Sequence, residues 1–374
     1  MKVMIDGHMI RESVTGIGRY HYNLIRALHD NHNNIKLSTY LDSTDTIFDF
    51  EIPKYFARFK NGLYRTTMGL NLAMRRLKPD IIHVSFFSPF IKYMPVVASV
   101  YDISFKIYPG TFQYKNLLKF KLFFERSLKL SDAIICISRV VERDLIKFYS
   151  IDPSKIFVIY GAPDRTFKFS SNKKQIKNYL QEKFGINGDY FLVVGDISKR
   201  KNPITIIEAF SQLSKRNKEI TLVFSGPNKM GSLVSTRYKS LLEKNHLKLL
   251  GYVRDEDLNL LYNGASALVY SSLYEGFGLP IVEAMACKTP VICNDIQVFH
   301  EVASNAAIFA KNGSELYRAM EQILKDKSFR EKYAELGYQR SKFFSWKKTA
   351  RQTLEVYNWV LDKNKKMGQL DKKT

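Results

Sequence analysis

Cysteine is scarce, with only Cys136, Cys287 and Cys293 in 374 residues. An odd number without regular spacing supplies neither a disulfide framework nor a zinc site, and it suits a reducing compartment. Uncharged apolar runs are short as well. None reaches the roughly 18 residues that a membrane-spanning helix needs, so the expectation is a soluble or peripheral protein. The opening Met1-Lys-Val-Met-Ile-Asp-Gly7 has no long apolar region and no small-residue cleavage site. No signal peptide is read from it, and the expected location is cytoplasmic, at the inner face of the membrane. Low-complexity tracts are missing too, which removes the main compositional argument for disorder.

Acid is also in short supply. Lys and Arg number 58 against 36 Asp and Glu, a formal charge of +22. Such a balance fits nucleic acid, an anionic membrane or a phosphorylated ligand, and charge alone does not choose among them. From Lys54 to Pro79 there are seven basic residues and no acid, interleaved with large apolar side chains such as Tyr55, Phe56, Met68 and Leu72. Tyr114 to Leu130 repeats the mixture, with Lys115, Lys119, Lys121, Arg126 and Lys129 among Leu and Phe. Both fit a helix lying on an anionic membrane face. Both also fit an ordinary amphipathic helix with its apolar side in a core.

The chain is long enough for two cores, and hydrophobic residues make up 45% of it. Short apolar runs read as buried strands: Lys2–Asp6, Ile35–Tyr40, Ile81–Val84, Val96–Val100, Ala133–Ile137 and Ile156–Ile159. Helical patterns such as Ile17–Leu28 fall between several of them. A polar stretch through Gly161-Ala-Pro-Asp164 to Ser170-Ser-Asn-Lys-Lys174 reads as a linker. The alternation then restarts with strands at Tyr190, Ile220, Leu247, Ala267 and Pro290, and helices over Pro203–Leu213, Ser232–Lys244, Asp255–Gly264 and Leu279–Ala286. Continuous apolar strands alternating with helices predict parallel, doubly wound sheets. The expected division is residues 1–165, residues 166–345, and a C-terminal helix with a basic tail over 346–374. That tail, Asp362-Lys-Asn-Lys-Lys366, is expected to fray.

One segment carries more chemistry than the rest: Glu275-Gly-Phe-Gly-Leu-Pro-Ile-Val-Glu283 follows a strand and opens a helix. Gly276 and Gly278 leave backbone amides uncovered where the helix dipole favours an anion. Pro280 suits the first helical turn. Two carboxylates flanking exposed amides suit a ligand with both hydroxyls and phosphate. A plain strand-to-helix turn with a capping Glu is the alternative.

The segment resembles the signature of the retaining, family-four glycosyltransferases, whose fold, GT-B, has two facing Rossmann-like domains with the active site in the cleft between them. The resemblance extends over most of the chain. Thr15-Gly-Ile-Gly-Arg-Tyr20 is similar to the family's N-terminal glycine loop, and Val193-Val-Gly-Asp-Ile-Ser-Lys-Arg-Lys-Asn202 to its diphosphate loop. Gly251-Tyr-Val-Arg-Asp-Glu-Asp-Leu258 and Phe344-Ser-Trp346 match other recurrent patches. The likeness implies that Glu275 contacts donor-sugar hydroxyls, that Glu283 holds the ribose, and that amides around Phe277, Gly278 and Leu279 face sugar and phosphates. It implies that Arg200 and Lys201 neutralise the diphosphate, and that Gly16 and Gly18 let the N-terminal loop approach the donor. Two positions depart from the pattern. Asp196 stands where relatives often have Arg, and Tyr101-Asp102 stands where many have His-Asp, a possible sugar contact.

Other signals are set aside. Asp255-Glu-Asp257 formally fits a metal motif but sits at a helix start, where acids are favoured anyway. Gly16-Ile-Gly18 lacks the third glycine of a dinucleotide loop. His8, His21, His83, His246 and His300 show no metal-ligand spacing, and His29 and His32, close enough to share a metal, have no Cys or third His near them in sequence, so neither metal nor cofactor is expected. No helix-turn-helix or aromatic platform supports nucleic-acid binding. The expectation is transfer of a hexose or deoxyhexose, such as mannose or rhamnose, with retention. The donor would be a GDP-, dTDP- or UDP-linked sugar and the acceptor a lipid-linked saccharide, in surface polysaccharide or O-antigen-type synthesis. The rivals are an epimerase or phosphorylase on the same fold, and a non-catalytic glycan- or nucleotide-binding member.

Overall fold

The computed structural model describes residues 1–10, 16–31, 35–41, 48–56, 64, 68–231, 234, 236 and 238–370. It divides into two units: Met1–Gly161 with Ser345–Thr374, and Ala162–Phe344.

The first unit is built on seven parallel strands: β1 (Lys2–Asp6), β2 (Lys36–Leu41), β3 (Lys54–Phe56), β4 (Ile81–Ser85), β5 (Val96–Val100), β6 (Ala133–Cys136) and β7 (Ile156–Val158). Their spatial order is β3-β2-β1-β4-β5-β6-β7. Every residue of β4, β5 and β6 is buried, which is why these strands read as unbroken apolar runs rather than as alternation. On one face Met4, Ile82, Val84, Val96 and Ala98 pack with Leu70, Ala73 and Met74 of the helix Leu70–Leu77.

The second unit carries β8 (Tyr190–Val194), β9 (Thr221–Ser225), β10 (Leu247–Leu249), β11 (Ala267–Tyr270), β12 (Val291–Asn294) and β13 (Ile308–Ala310), all parallel, in the order β10-β9-β8-β11-β12-β13. In both sheets the strand order reverses direction once, between β1 and β4 and between β8 and β11. Open sheets of this kind bind ligands at the carboxyl ends of the strands beside that reversal.

Three sequence expectations change. The basic segment from Lys54 is not one amphipathic helix: it begins as β3, whose Tyr55 stacks on Tyr40 of β2 at 6.1 Å, and it ends in the helix Leu70–Leu77. Residues 57–63 and 65–67 of that segment lie outside the described residues, as do part of the expected helix over 232–244 and the loop ahead of Gly16. The polar run read as linker up to Lys174 already contains the start of the helix Lys173–Phe184, capped by the Asn172 side chain accepting from the Gln175 amide at 3.3 Å. The C-terminal tail, expected to fray from Asp362, continues the helix Trp346–Leu370. That helix returns to the first unit, where Thr349 Oγ1 donates to the Tyr160 carbonyl at 2.7 Å and Trp359 packs on Phe157 at 5.1 Å.

Candidate active site

The reversal between β8 and β11 places two loops side by side, and chemistry concentrates there. After β8 the chain turns through Gly195, forms a tight helical turn at Lys199–Lys201, and enters the helix Pro203–Ser214. After β11 it runs through Ser271 to Gly278 and enters the helix Leu279–Ala286. The Leu273 amide donates to the Arg200 carbonyl at 2.9 Å, which fixes one loop against the other.

Arg200, Lys201 and Glu275 come together as one cluster. Arg200 Nη1 lies 2.8 Å from Glu275 Oε1 and donates to the Tyr274 carbonyl at 2.7 Å. Lys201 Nζ reaches the same Oε1 at 2.5 Å and donates to Tyr270 Oη at 2.6 Å. The side chains are only 11–17% exposed. Burial alone would raise the Glu275 carboxyl, but the Lys201 ammonium and Arg200 guanidinium overcome it and hold the group at about 2. For Lys201 burial disfavours the charge, and Glu275 more than restores it, leaving the ammonium above its usual value. Burial, with Glu275 beside it, pushes the Tyr270 phenol up to about 12. At neutral pH the cluster therefore carries two cations against one anion in a poorly hydrated setting, where charge is weakly screened.

The helix start beside it is open to an anion. Its N-cap is Gly278, at φ +99°, with no side chain capping the first turn, and Pro280 has no amide hydrogen to satisfy. A Cβ at Gly278 would also come within 3.2 Å of the Phe299 ring. Phe277 is buried against Phe344 at 5.5 Å, and Leu279 is the first helical residue. Ser272, in the same loop, is 1% exposed, and its hydroxyl stands beside the Glu275 carboxylate and helps to lower it. Sequence reasoning passed over this hydroxyl, because an isolated Ser in a loop gives no signal.

Glu283 is placed differently from Glu275. It is fully buried, and its Oε2 accepts from Tyr262 Oη at 2.9 Å. The carboxylates that look symmetric in sequence thus have separate surroundings. Asp196, at the position where relatives often have Arg, pairs with Lys229 Nζ of the loop after β9 at 2.7 Å.

In the first unit, Gly16 and Gly18 stand in the first turn of the helix Gly16–Asn31, not in a loop. Tyr101 is buried, with its ring against Tyr20, Phe86 and His21 and its hydroxyl hydrogen-bonded to His21 Nε2. Asp102 Oδ1 accepts from the Ser104 amide at 2.8 Å and from the Ser104 hydroxyl at 2.7 Å, starting a short helical turn. Both side chains are thus engaged within the unit.

Three histidines that looked unremarkable in sequence gather under the carboxyl ends of β1, β4 and β5. His8 Nδ1 lies 2.8 and 2.9 Å from the two Asp6 oxygens, and the carboxylate accepts a hydrogen bond from it. His21 Nε2 also meets Ser85 Oγ at 2.7 Å. His83 bridges Ser99 Oγ at 2.7 Å and Tyr357 Oη of the C-terminal helix at 2.6 Å. Burial lowers His21 to about 4 and His83 to about 3, so both rings are neutral near pH 7. Among the described residues no group of three or more His, Cys, Asp or Glu is arranged to hold a metal ion.

Two doubly wound parallel sheets, the second with a buried cationic cluster and an uncapped helix start at its strand-order reversal, make a GT-B-type fold. Solved structures carry the same fold: HepE from Anabaena, crystallised with UDP and glucose, superposes with a TM-score of 0.75 at 18% identity, covering 96% of this chain and 99% of that one. The model for glycosyl transferases group 1 matches residues 174–340, and that for Glycosyltransferase Family 4 matches residues 14–167. O-antigen chain mannosyltransferase B of Escherichia coli is 26% identical over 96% of this chain and 99% of its own length. O-antigen chain mannosyltransferase RfbU of Salmonella typhimurium is 32% identical over 58% of this chain, which spans 57% of that relative. The chain belongs to the family-four glycosyltransferases.

Proposed function

We propose that the protein transfers a hexose or deoxyhexose, with mannose as the first candidate and rhamnose as the second, from a nucleotide-diphosphate sugar to a lipid-linked saccharide. The reaction proceeds with retention of anomeric configuration, in O-antigen-type polysaccharide synthesis. The observation that carries this reading is the buried Arg200–Lys201–Glu275 cluster beside the uncapped start of the helix Leu279–Ala286. The names of the O-antigen mannosyltransferase relatives support mannose, and the UDP and glucose of HepE support a nucleotide-linked donor.

A diphosphate is already a good leaving group, so no carboxylic acid is needed to protonate it, unlike an alkoxide in glycoside hydrolysis. The catalytic demand is to stabilise charge growing on the departing diphosphate. Arg200 and Lys201 meet that demand, together with the amides around Phe277, Gly278 and Leu279. The acceptor oxygen bonds to the anomeric carbon as the carbon–phosphate-oxygen bond breaks, and the acceptor proton passes to the departing phosphate. No metal or cofactor enters this scheme. Glu275 uses Oε1 to hold both cations, and we assign its Oε2 to a donor-sugar hydroxyl. Glu283 is assigned to the ribose, its Oε2 fixed by Tyr262; since the carboxylate is fully buried, donor entry has to uncover it. Tyr101 and Asp102, held within the first unit, shape the wall of their sheet rather than touching the sugar.

Removing one charge-stabilising donor of this kind costs on the order of 100- to 1,000-fold in rate. Arg200→Ala is expected to lose that much transfer while keeping the melting temperature, because Glu275 keeps Lys201 as its partner. Glu283→Ala is expected to lose donor binding. A product assay reads both, as free nucleoside diphosphate together with an extended glycan. Unchanged turnover in both variants would sink the assignment; nucleotide binding with no transfer to any acceptor would point to a non-catalytic member.

A further inference from the structure

The helix Tyr114–Leu130 is apolar on its inward face, where Phe124, Ser127 and Leu128 are buried and Phe120 stacks on Phe105 at 3.9 Å. Its outward face should then be polar. Instead Tyr114, Leu118 and Leu122, one turn apart along the helix, are 78%, 43% and 57% exposed. The connection between β4 and β5 adds a second exposed group: Phe90 at 51%, Ile91 at 49% and Tyr93 at 42%. The two are one surface. Arg126 Nη2 donates to the Phe90 carbonyl at 2.5 Å and its guanidinium lies 4.7 Å from the Phe90 ring centre. Tyr93 in turn accepts from Arg75 Nη2 at 2.5 Å, on the helix Leu70–Leu77 whose Leu72 is 43% exposed.

An apolar patch of this extent on an otherwise charged protein marks an interaction surface. Its charge identifies the occupant. Between Asp80 and Asp132 the chain has seven basic residues, Lys92, Lys106, Lys115, Lys119, Lys121, Arg126 and Lys129, against Asp102 and Glu125 alone. Lys129 is paired with Glu125 at 2.7 Å, at the far end of the helix from Tyr114 and Leu118, and Lys92 with Asp132 at 2.7 Å, which leaves Lys115 and Lys121 as the cations nearest the exposed Leu118 and Leu122 in sequence. Large apolar side chains ringed by Lys and Arg match the boundary of an anionic bilayer, where the apolar groups enter the acyl edge and the cations meet phosphate headgroups. A protein partner would more often present a charge-depleted core.

We propose that this face, formed by Tyr114, Leu118, Leu122, Phe90, Ile91 and Tyr93, docks the protein onto an anionic lipid surface. It deepens the lipid-linked acceptor reading, and it stands on an observation separate from the donor site. The test is sedimentation of the full chain with vesicles of phosphatidylcholine, with and without phosphatidylglycerol. Wild type is expected to bind only vesicles containing the anionic lipid, and to be released by salt. Leu118→Ser/Leu122→Ser and Lys115→Ala/Lys121→Ala should each weaken binding by on the order of tenfold or more. Both should keep the wild-type melting temperature and its sugar-nucleotide binding, which shows that they are folded. The proposal is overturned if wild type ignores anionic vesicles, or if both double variants bind them undiminished. A stable dimer that Leu118→Ser/Leu122→Ser dissociates would overturn it too, since the patch would then belong to a second copy. Because no donor or acceptor is in the assay, any of these failures leaves the transferase reading intact.

Discussion

At Glu275 a single carboxylate oxygen serves both Arg200 and Lys201, and the consequences run in two directions. Ground-state order comes first: Glu275 holds the pair of cations in place, so in the proposed role little reorganisation would remain when charge develops. Stability comes second. Glu275→Ala strands two cations in a nearly dry site, a change that costs about 3–5 kcal/mol in a fully buried pair. The lower end applies here, because the side chains keep 11–17% exposure. Urea denaturation checks it, with a loss smaller than about 1 kcal/mol contradicting the buried arrangement. The pH dependence has a definite sign. Glu275 sits near 2 in the folded state against 4.5 as a free side chain, so its contribution is present above 4.5 and fades as pH falls toward 2. The buried histidines act over a higher window. His21 and His83 resist protonation down to about 4 and 3, while the unfolded chain takes up those protons near 6.5. Stability should therefore fall on acidification from 6.5 to 4, by up to about 3 kcal/mol per pH unit for two such groups. His83→Gln should roughly halve that slope in a series of denaturation curves.

Among the elements, the loops after β8, β9 and β10 are stitched into one rim. The Gly195 amide donates to the Ser225 carbonyl at 2.9 Å, Ile197 to Pro227 at 2.9 Å, Lys229 back to Ile197 at 3.0 Å, and Gly226 to Gly251 at 2.7 Å. Gly226, at φ +143°, sits where a Cβ would collide with the Gly195 carbonyl. Gly226→Ala is expected to cost more than the roughly 1–3 kcal/mol of backbone strain alone, and to weaken donor binding in a titration. Much of this level was legible in sequence. Continuous runs such as Ala267–Tyr270, the acids opening Asp255–Gly264 and the Pro280 in the first turn of Leu279–Ala286 fall where the elements form. The helix Lys173–Phe184 was not, because it buries only Ile176 and Leu180 and has a polar sequence. β3 was hidden by its lysine and by the basic residues that follow it. At the site, residue types were legible but pairings were not. Sequence spacing makes Glu275 and Glu283 look equivalent, and only the fold gives one to two cations and the other to Tyr262.

For the molecule as a whole, the chain crosses between units twice, at Gly161 and at Ser345, and its last helix completes the first unit. Tyr357 reaches His83, and Trp346 meets the Tyr20 ring at 5.3 Å. Truncation before Trp346 is expected to destabilise the first unit while leaving Ala162–Phe344 protected, which limited proteolysis with mass spectrometry reads directly. Among the described residues no helix is long and apolar enough to cross a membrane; the proposed patch on Tyr114–Leu130 would bring a lipid-linked acceptor within reach at a surface. The central claim remains chemical: Arg200 and Lys201 stabilise a departing diphosphate. Its most direct test is transfer from a panel of sugar nucleotides to a lipid-linked acceptor, comparing wild type with Arg200→Ala and Lys201→Ala. The account predicts one preferred donor, release of its nucleoside diphosphate, and a loss on the order of 100-fold or more in each variant. Turnover at the wild-type rate in both folded variants would contradict it.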